Sequence, residues 1–138
     1  MVAQISPMLA VADPRSAIDF YQRAFGATEV WTLGDQDPDV ACLSIDGADV
    51  FLARDSPALG ERTTRSPGAV GFTTVRIELF VDDPHAVHRQ AVEAGARDVG
   101  SVEEHRHSTT GPRPISRMLQ GAVLDPSGHL WLIGRFLD

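Results

Sequence analysis

One cysteine, Cys42, is all the chain contains. No intramolecular disulfide can form, so packing and hydrogen bonds must hold the fold, and a reducing compartment is the natural setting. Cys42 reads as a small core hydrophobe. Long apolar runs are missing too. Nothing approaches the roughly 20 residues that a membrane-spanning helix needs. The start, Met1 to Ala12, lacks a basic region and breaks at Pro7. A cytoplasmic, unanchored protein is expected. Basic charge is scarce: 12 Lys and Arg stand against 19 Asp and Glu, a formal net charge of -7. That balance argues against nucleic acid or an anionic membrane as partner and mildly favours cationic small molecules. With 43% hydrophobic and 22% charged residues over 138 positions, disordered and fibrous classes are excluded, and one domain with a real core is expected.

What the chain does have is a duplication. Leu9, Val11, Asp13 and Pro14 recur at Leu79, Val81, Asp83 and Pro84, an offset of 70. Gly26, Ala27 and Val30 return as Gly95, Ala96 and Val99, an offset of 69, and Val50-Phe51-Leu52 returns in kind as Leu130-Trp131-Leu132. A repeat supplies an internal alignment, so positions can be compared between halves.

The first copy opens with an alternating strand, Ile5 to Val11. Asp13 follows as N-cap with Pro14 at N1, and a helix runs to a Gly26 stop. Its apolar stripe is Ala17, Ile18, Tyr21, Ala24 and Phe25. Strands Thr28 to Leu33, Val40 to Ile45 and Ala48 to Arg54 follow, the last two joined by Asp46-Gly47, a strong hairpin signal. The second copy repeats this βαβββ order. Its strand Thr74 to Val81 leads to cap Asp83 and a helix to Gly95; three strands follow near Asp98 to Glu104, Arg117 to Leu124 and His129 to Phe136. The modules, about 1–55 and 72–138, form a single domain, joined by a Pro, Gly, Ser, Thr and Arg-rich linker or flap over 55–71. A second loop is expected over Glu104 to Ser116.

Two tandem modules with a repeated strand end before Asp-Pro, and the closing LDPSGHLWLIG, resemble the vicinal oxygen chelate superfamily of glyoxalases, bleomycin-resistance proteins and extradiol dioxygenases. The resemblance implies an α+β fold in which curved mixed sheets surround a cleft with helices on the outer face, often within a dimer. It also implies where metal ligands stand in the metal enzymes, on the first and last strand of each module. In this chain those positions correspond to Ser6 and Arg76, and to Leu52 and Leu132. A leucine has no lone pair, a serine hydroxyl is a poor neutral donor, and an arginine repels a cation. No metal and no other cofactor is therefore expected.

Other residues gain meaning from strand phase. Arg76 and Glu78 share a face opposite Ile77, Leu79 and Val81 and project into the cleft, either as an ion pair bracing the sheet or as contacts to a polar ligand. Val30 and Val99 are read as facing the helices, which turns Trp31 the other way, opposite Gly100 in the repeat; Trp31 then stacks a flat ligand or packs in a dimer interface. Phe51 and Trp131 are read as core, while Met8, Leu52, Phe80, Leu130 and Leu132 line the cleft with apolar surface.

The resemblance then implies the metal-free, drug-holding branch: a homodimeric, non-catalytic self-resistance protein binding a planar aromatic or peptide antibiotic of the bleomycin, mitomycin or quinoline-bearing type. Ser6, Met8, Trp31, Leu52, Arg76, Glu78, Phe80 and Leu132 are its ligand-binding candidates. One rival is a glyoxalase-like or dioxygenase-like metal enzyme with displaced ligands such as Glu104, His105 and His107, since the two histidines share a strand face. Another is a metal-independent isomerase with Glu78 as base. His85, His88 and His129 read as solvated.

Overall fold

Asp-Pro starts both long helices. The Asp13 carboxylate accepts hydrogen bonds from the backbone N–H groups of Arg15 (3.2 Å) and Ser16 (3.4 Å), and Asp83 accepts from Ala86 (3.1 Å). Proline at N1 loses no helical hydrogen bond. Gly26 ends the first helix at φ 66°, a left-handed conformation that glycine adopts without steric cost.

Residues 2–138 are described in the computed structural model. The order is β1 (Met8–Val11), α1 (Pro14–Phe25), β2 (Thr28–Leu33), β3 (Val40–Ile45), β4 (Ala48–Arg54) and α2 (Pro67–Val70). The second half continues with β5 (Arg76–Phe80), α3 (Pro84–Glu93), β6 (Arg97–Arg106), β7 (Arg117–Leu124) and β8 (Leu130–Phe136). The expected α+β fold of two βαβββ modules is present, as two four-stranded mixed sheets ordered β1-β4-β3-β2 and β5-β8-β7-β6. In each, the first strand runs parallel to the last and the other pairs are antiparallel.

Each long helix covers one face of its own sheet, and α1 and α3 also pack on each other. One apolar core results. It joins Ile18, Phe20, Tyr21 and Ala24 of α1 to Leu43 and Leu52 of the first sheet and to Val123, Trp131 and Ile133 of the second. The far face of each sheet stays open.

Three local expectations need correction, and the 55–71 linker carries structure of its own. β1 begins at Met8, later than Ile5: Ile5 is 96% exposed, and Pro7 contributes only a carbonyl, which accepts from Phe51 N–H at 2.9 Å. The 55–71 connection contains the one-turn α2 and is anchored, because Ser66 is buried and donates to Asp55 through both N–H (2.7 Å) and hydroxyl (2.6 Å). β6 runs on to Arg106, shortening the expected second loop. Val30 and Val99 do not face the helices. Each sits at a register shift, between Glu29 and Trp31 in one copy and Asp98 and Gly100 in the other, and both are about half exposed. A bulge residue drops out of the ladder, so its side chain leaves the alternation.

The modules are tied at Asp125, a buried carboxylate in the turn between β7 and β8. It accepts from the Tyr21 hydroxyl of the other module, from Trp131 Nε1 (2.9 Å), and from the backbone N–H groups of Ser127 (3.0 Å) and His129 (3.0 Å). A buried charge is tolerable only when its lone pairs are satisfied in this way. His129 adds a second tie, its Nε2 lying 2.7 Å from Ala10 O, so it is buried and not solvated as expected. Gly128 permits the turn to pack closely: at φ 91°, an added Cβ would meet Gly68 N at 2.8 Å.

Removing Asp125 leaves Tyr21, Trp131 and two backbone donors unpaired, so Asp125→Ala is expected to cost at least about 3 kcal/mol by urea titration, at roughly 1–3 kcal/mol per orphaned buried group. Tyr21→Phe is expected to cost about 2 kcal/mol. Burial first, and the Asp125 charge second, hold the Tyr21 phenol well above its usual value. The unfolded phenol ionises near pH ~10 while the folded one does not, so stability present below that pH falls as pH rises beyond it. Tyr21→Phe should show a correspondingly shallower alkaline loss.

Candidate functional site

Strand register decides which side chains reach the open faces. Leu9 pairs with Leu52, and its repeat counterpart Leu79 pairs with Ile133. The last strands are therefore related by 81 residues, so Val50, Phe51 and Leu52 match Trp131, Leu132 and Ile133. The β3–β4 hairpin turns on Asp46-Gly47, both at positive φ, and between the equivalent register pairs Ser44–Asp49 and Leu124–Leu130 the second copy holds one residue more. One inserted residue exchanges the faces of a strand.

Two site expectations fall with that shift. Leu52 is fully buried in the core beneath α1 and does not line a cleft. Phe51, expected in the core, lies on the open face. Trp131, 1% exposed, is core as expected. Trp31 faces the open side as expected, although its bulged neighbour Val30 supplied the wrong reason.

Across the open face of the first sheet runs one register row: Met8, Phe51, Cys42 and Trp31. Trp31 is 45% exposed and Met8 52%, and the Trp31 and Phe51 rings lie 5.8 Å apart. Cys42 lies buried in this row, where desolvation, with the Asp49 charge adding, raises its thiol above the usual range. A raised thiol is a poor nucleophile, so Cys42 serves as floor for the aromatic pair.

The corresponding row on the second sheet is Glu78, Leu132, Ala122 and Gly100. Where the first sheet carries Trp31, this one has no side chain, and a shallow groove of about 340 Å³ opens along Gly100, Glu103, His105, Gln120 and Leu132. Glu78 accepts from Gln120 Nε2 at 3.1 Å. Arg76 is exposed, pairs in register with Leu130, and forms no ion pair among the described residues. The Arg76–Glu78 brace is thus not made. Phe80 stacks on Phe136 at 4.7 Å, an aromatic pair at the strand ends that the sequence reading did not identify. Ser6 precedes β1, half-buried, and accepts from Gln4 Nε2 at 3.2 Å.

A resident metal does not fit these residues. With the register corrected, the four positions are Ser6, Phe51, Arg76 and Leu132, and phenylalanine supplies no more lone pairs than leucine. The alternative donors do not converge. Glu104 is on the opposite strand face from His105, held by Arg117 (2.8 Å) and Arg106 (3.2 Å), and its carboxyl titrates below the usual range chiefly through the Arg117 hydrogen bond. His105 and His107 stack with ring centres 6.5 Å apart. Among the described residues, no three His, Cys, Asp or Glu side chains form a cluster fit for a metal ion. Nor is any described helix long and apolar enough to cross a membrane.

Known proteins share this architecture. An uncharacterised protein of Mycobacterium bovis is 37% identical over 133 residues, covering 95% of this chain and 82% of that protein. Its counterpart in Mycobacterium tuberculosis H37Rv is also 37% identical, with 73% of its length covered. Among solved structures, TioX from Micromonospora sp. ML1 superposes with a TM-score of 0.70 at 23% identity, covering 99% of this chain and 100% of TioX. A glyoxalase/bleomycin resistance protein/dioxygenase family enzyme from Burkholderia phytofirmans PsJN gives 0.69 at 17% identity, covering 96% of this chain and 97% of that one. At such identities these two establish the fold alone. The glyoxalase-like domain itself matches residues 6–133. With its paired βαβββ modules and that match over most of its length, the chain belongs to the glyoxalase-like domain family.

Proposed function

We propose that this chain is a metal-free binding protein of the cytoplasm, a homodimer that sequesters a planar aromatic antibiotic and so confers self-resistance. The observation that carries the reading is the half-exposed Trp31, set beside Phe51 and in line with Met8 on an otherwise uncovered sheet face. A flat chromophore laid on that row buries apolar area at about 25 cal/mol per Å², and ring stacking adds roughly 0.5–1.5 kcal/mol. Trp31 is also available without strain. Its exposed face makes it a ligand platform where Trp131, locked in the core, is not.

The second sheet supplies the complementary half. Its groove beside Gly100 accepts an edge or substituent, and Glu78, Gln120 and Arg76 offer hydrogen bonds and charge of both signs to a polar rim. In a homodimer, the tryptophan face of one copy closes over the groove face of its partner, so that a flat ligand is held between unlike surfaces. No bond is made or broken, and the absence of metal donors at the four strand positions suits retention better than turnover.

The chain's two tryptophans differ sharply in exposure, which makes fluorescence a direct test. Titration with quinoline-bearing peptide antibiotics, bleomycins and mitomycins is expected to quench the Trp31 component saturably. Trp31→Ala should weaken binding at least tenfold while changing stability by about 0.5 kcal/mol or less, as for other half-exposed sites. No quenching by any of these compounds would sink the proposal. Adding a strong chelator is expected to leave the titration curve unchanged; stoichiometric metal in the purified protein, with binding or turnover lost on chelation, would favour a metal enzyme instead.

A further inference from the structure

A different cavity lies where the two modules meet at their first strands. It measures about 640 Å³ and is lined by Met8 and Ala10 of β1, Ile77 of β5, and Arg65, Val70 and Phe72 of the connecting segment. Trp31 takes no part in it. Its walls are mostly apolar, and Val70, Phe72 and Val75 are large hydrophobic residues left exposed around it (49%, 67% and 66%). A volume of this size is typical of sites for small organic ligands.

The polar groups along it are mostly engaged. His129 Nε2 is held by Ala10 O at 2.7 Å, and the Thr73 hydroxyl donates to Val75 O at 2.8 Å. Arg65 is different. Its Nε is buried with no hydrogen-bond partner, and the guanidinium forms no ion pair among the described residues, although Asp and Glu outnumber Lys and Arg by 19 to 12. Arg65 thus brings a cation without a protein counter-charge to the edge of an apolar cavity, and such a charge favours an anionic partner. A guanidinium presents paired N–H groups that match the two oxygens of a carboxylate.

We propose that this cavity binds a small amphiphilic monocarboxylate. The Arg65 guanidinium takes the head group, and Met8, Val70, Phe72 and Ile77 take the apolar body. The charge complementarity is specific: a neutral molecule of the same shape leaves the guanidinium without a counter-charge, and is disfavoured for that reason. This site stands independently of the aromatic-binding reading, sharing only Met8 with it.

Isothermal titration of the full chain with decanoate and with 1-decanol tests the proposal. Decanoate is expected to bind saturably at one site per chain, and 1-decanol at least tenfold more weakly. Arg65→Gln should weaken decanoate at least tenfold, and Val70→Glu, which sets a like charge at the rim, should weaken it as well. Neither variant should alter Trp31 quenching by an aromatic ligand. Equal binding of decanoate and 1-decanol, or full binding by Arg65→Gln, overturns the proposal. So does failure of decanoate to bind, and if Arg65→Gln then also changes the mass measured by light scattering, the cavity is assigned to contact with a second copy.

Discussion

Asp125 is a carboxylate placed where a core residue would otherwise stand. Its repeat counterpart in the first module is Ile45, a buried member of the apolar core. Exchanging isoleucine for aspartate is tolerable only because Tyr21 reaches across from the other module, Trp131 turns its indole N–H inward, and the turn itself donates two backbone N–H groups. Each of these donors would be orphaned without the carboxylate, and the carboxylate would be stranded without them. The relative placement of the two helices, and through them of the two open sheet faces, hangs on this node. His129 reinforces it from the same turn by bonding the first strand of the opposite module.

The same turn explains why the halves are not interchangeable. Between equivalent register pairs it holds one residue more than the Asp46-Gly47 hairpin, and within it the Asp125 carboxylate accepts from the Ser127 and His129 N–H groups. The insertion shifts the phase between equivalent last strands. Aligning Val50-Phe51-Leu52 with Leu130-Trp131-Leu132 matches residue types well and places every side chain of one strand on the wrong face. Leu52 was thereby read as cleft and Phe51 as core, the reverse of their positions. Trp131 escapes the error because its neighbour Leu132 does stand on the open face beside Glu78, so Trp131 turns inward.

The two open faces are chemically unlike despite common descent of their ladders. One carries an aromatic and thioether row over a buried thiol; the other carries a carboxylate–amide pair, a phenylalanine stack and a glycine-lined groove. Neither holds a set of metal donors. Substitutions at a few strand positions thus change the chemistry of the two faces with no change in backbone architecture.

By itself the sequence determined the repeat, the helix caps at Asp13 and Asp83, the Asp46-Gly47 hairpin and the α+β class. These are local or periodic properties, and capping and turn chemistry act within a few residues. Legible too was the outward direction of Arg76 and Glu78, whereas that of Trp31 rests on a strand phase at Val30 that the bulge overturns. The depth of His129, the four-donor carboxylate, the bulges at Val30 and Val99, the true faces of Phe51 and Leu52 and the cavity around Arg65 were settled only by tertiary structure. Each depends on contacts with another strand, turn or module, or on a register that one inserted residue can reverse. Strand pairing, unlike helix capping, is decided by which chain segment lies alongside, and no single strand records its neighbour.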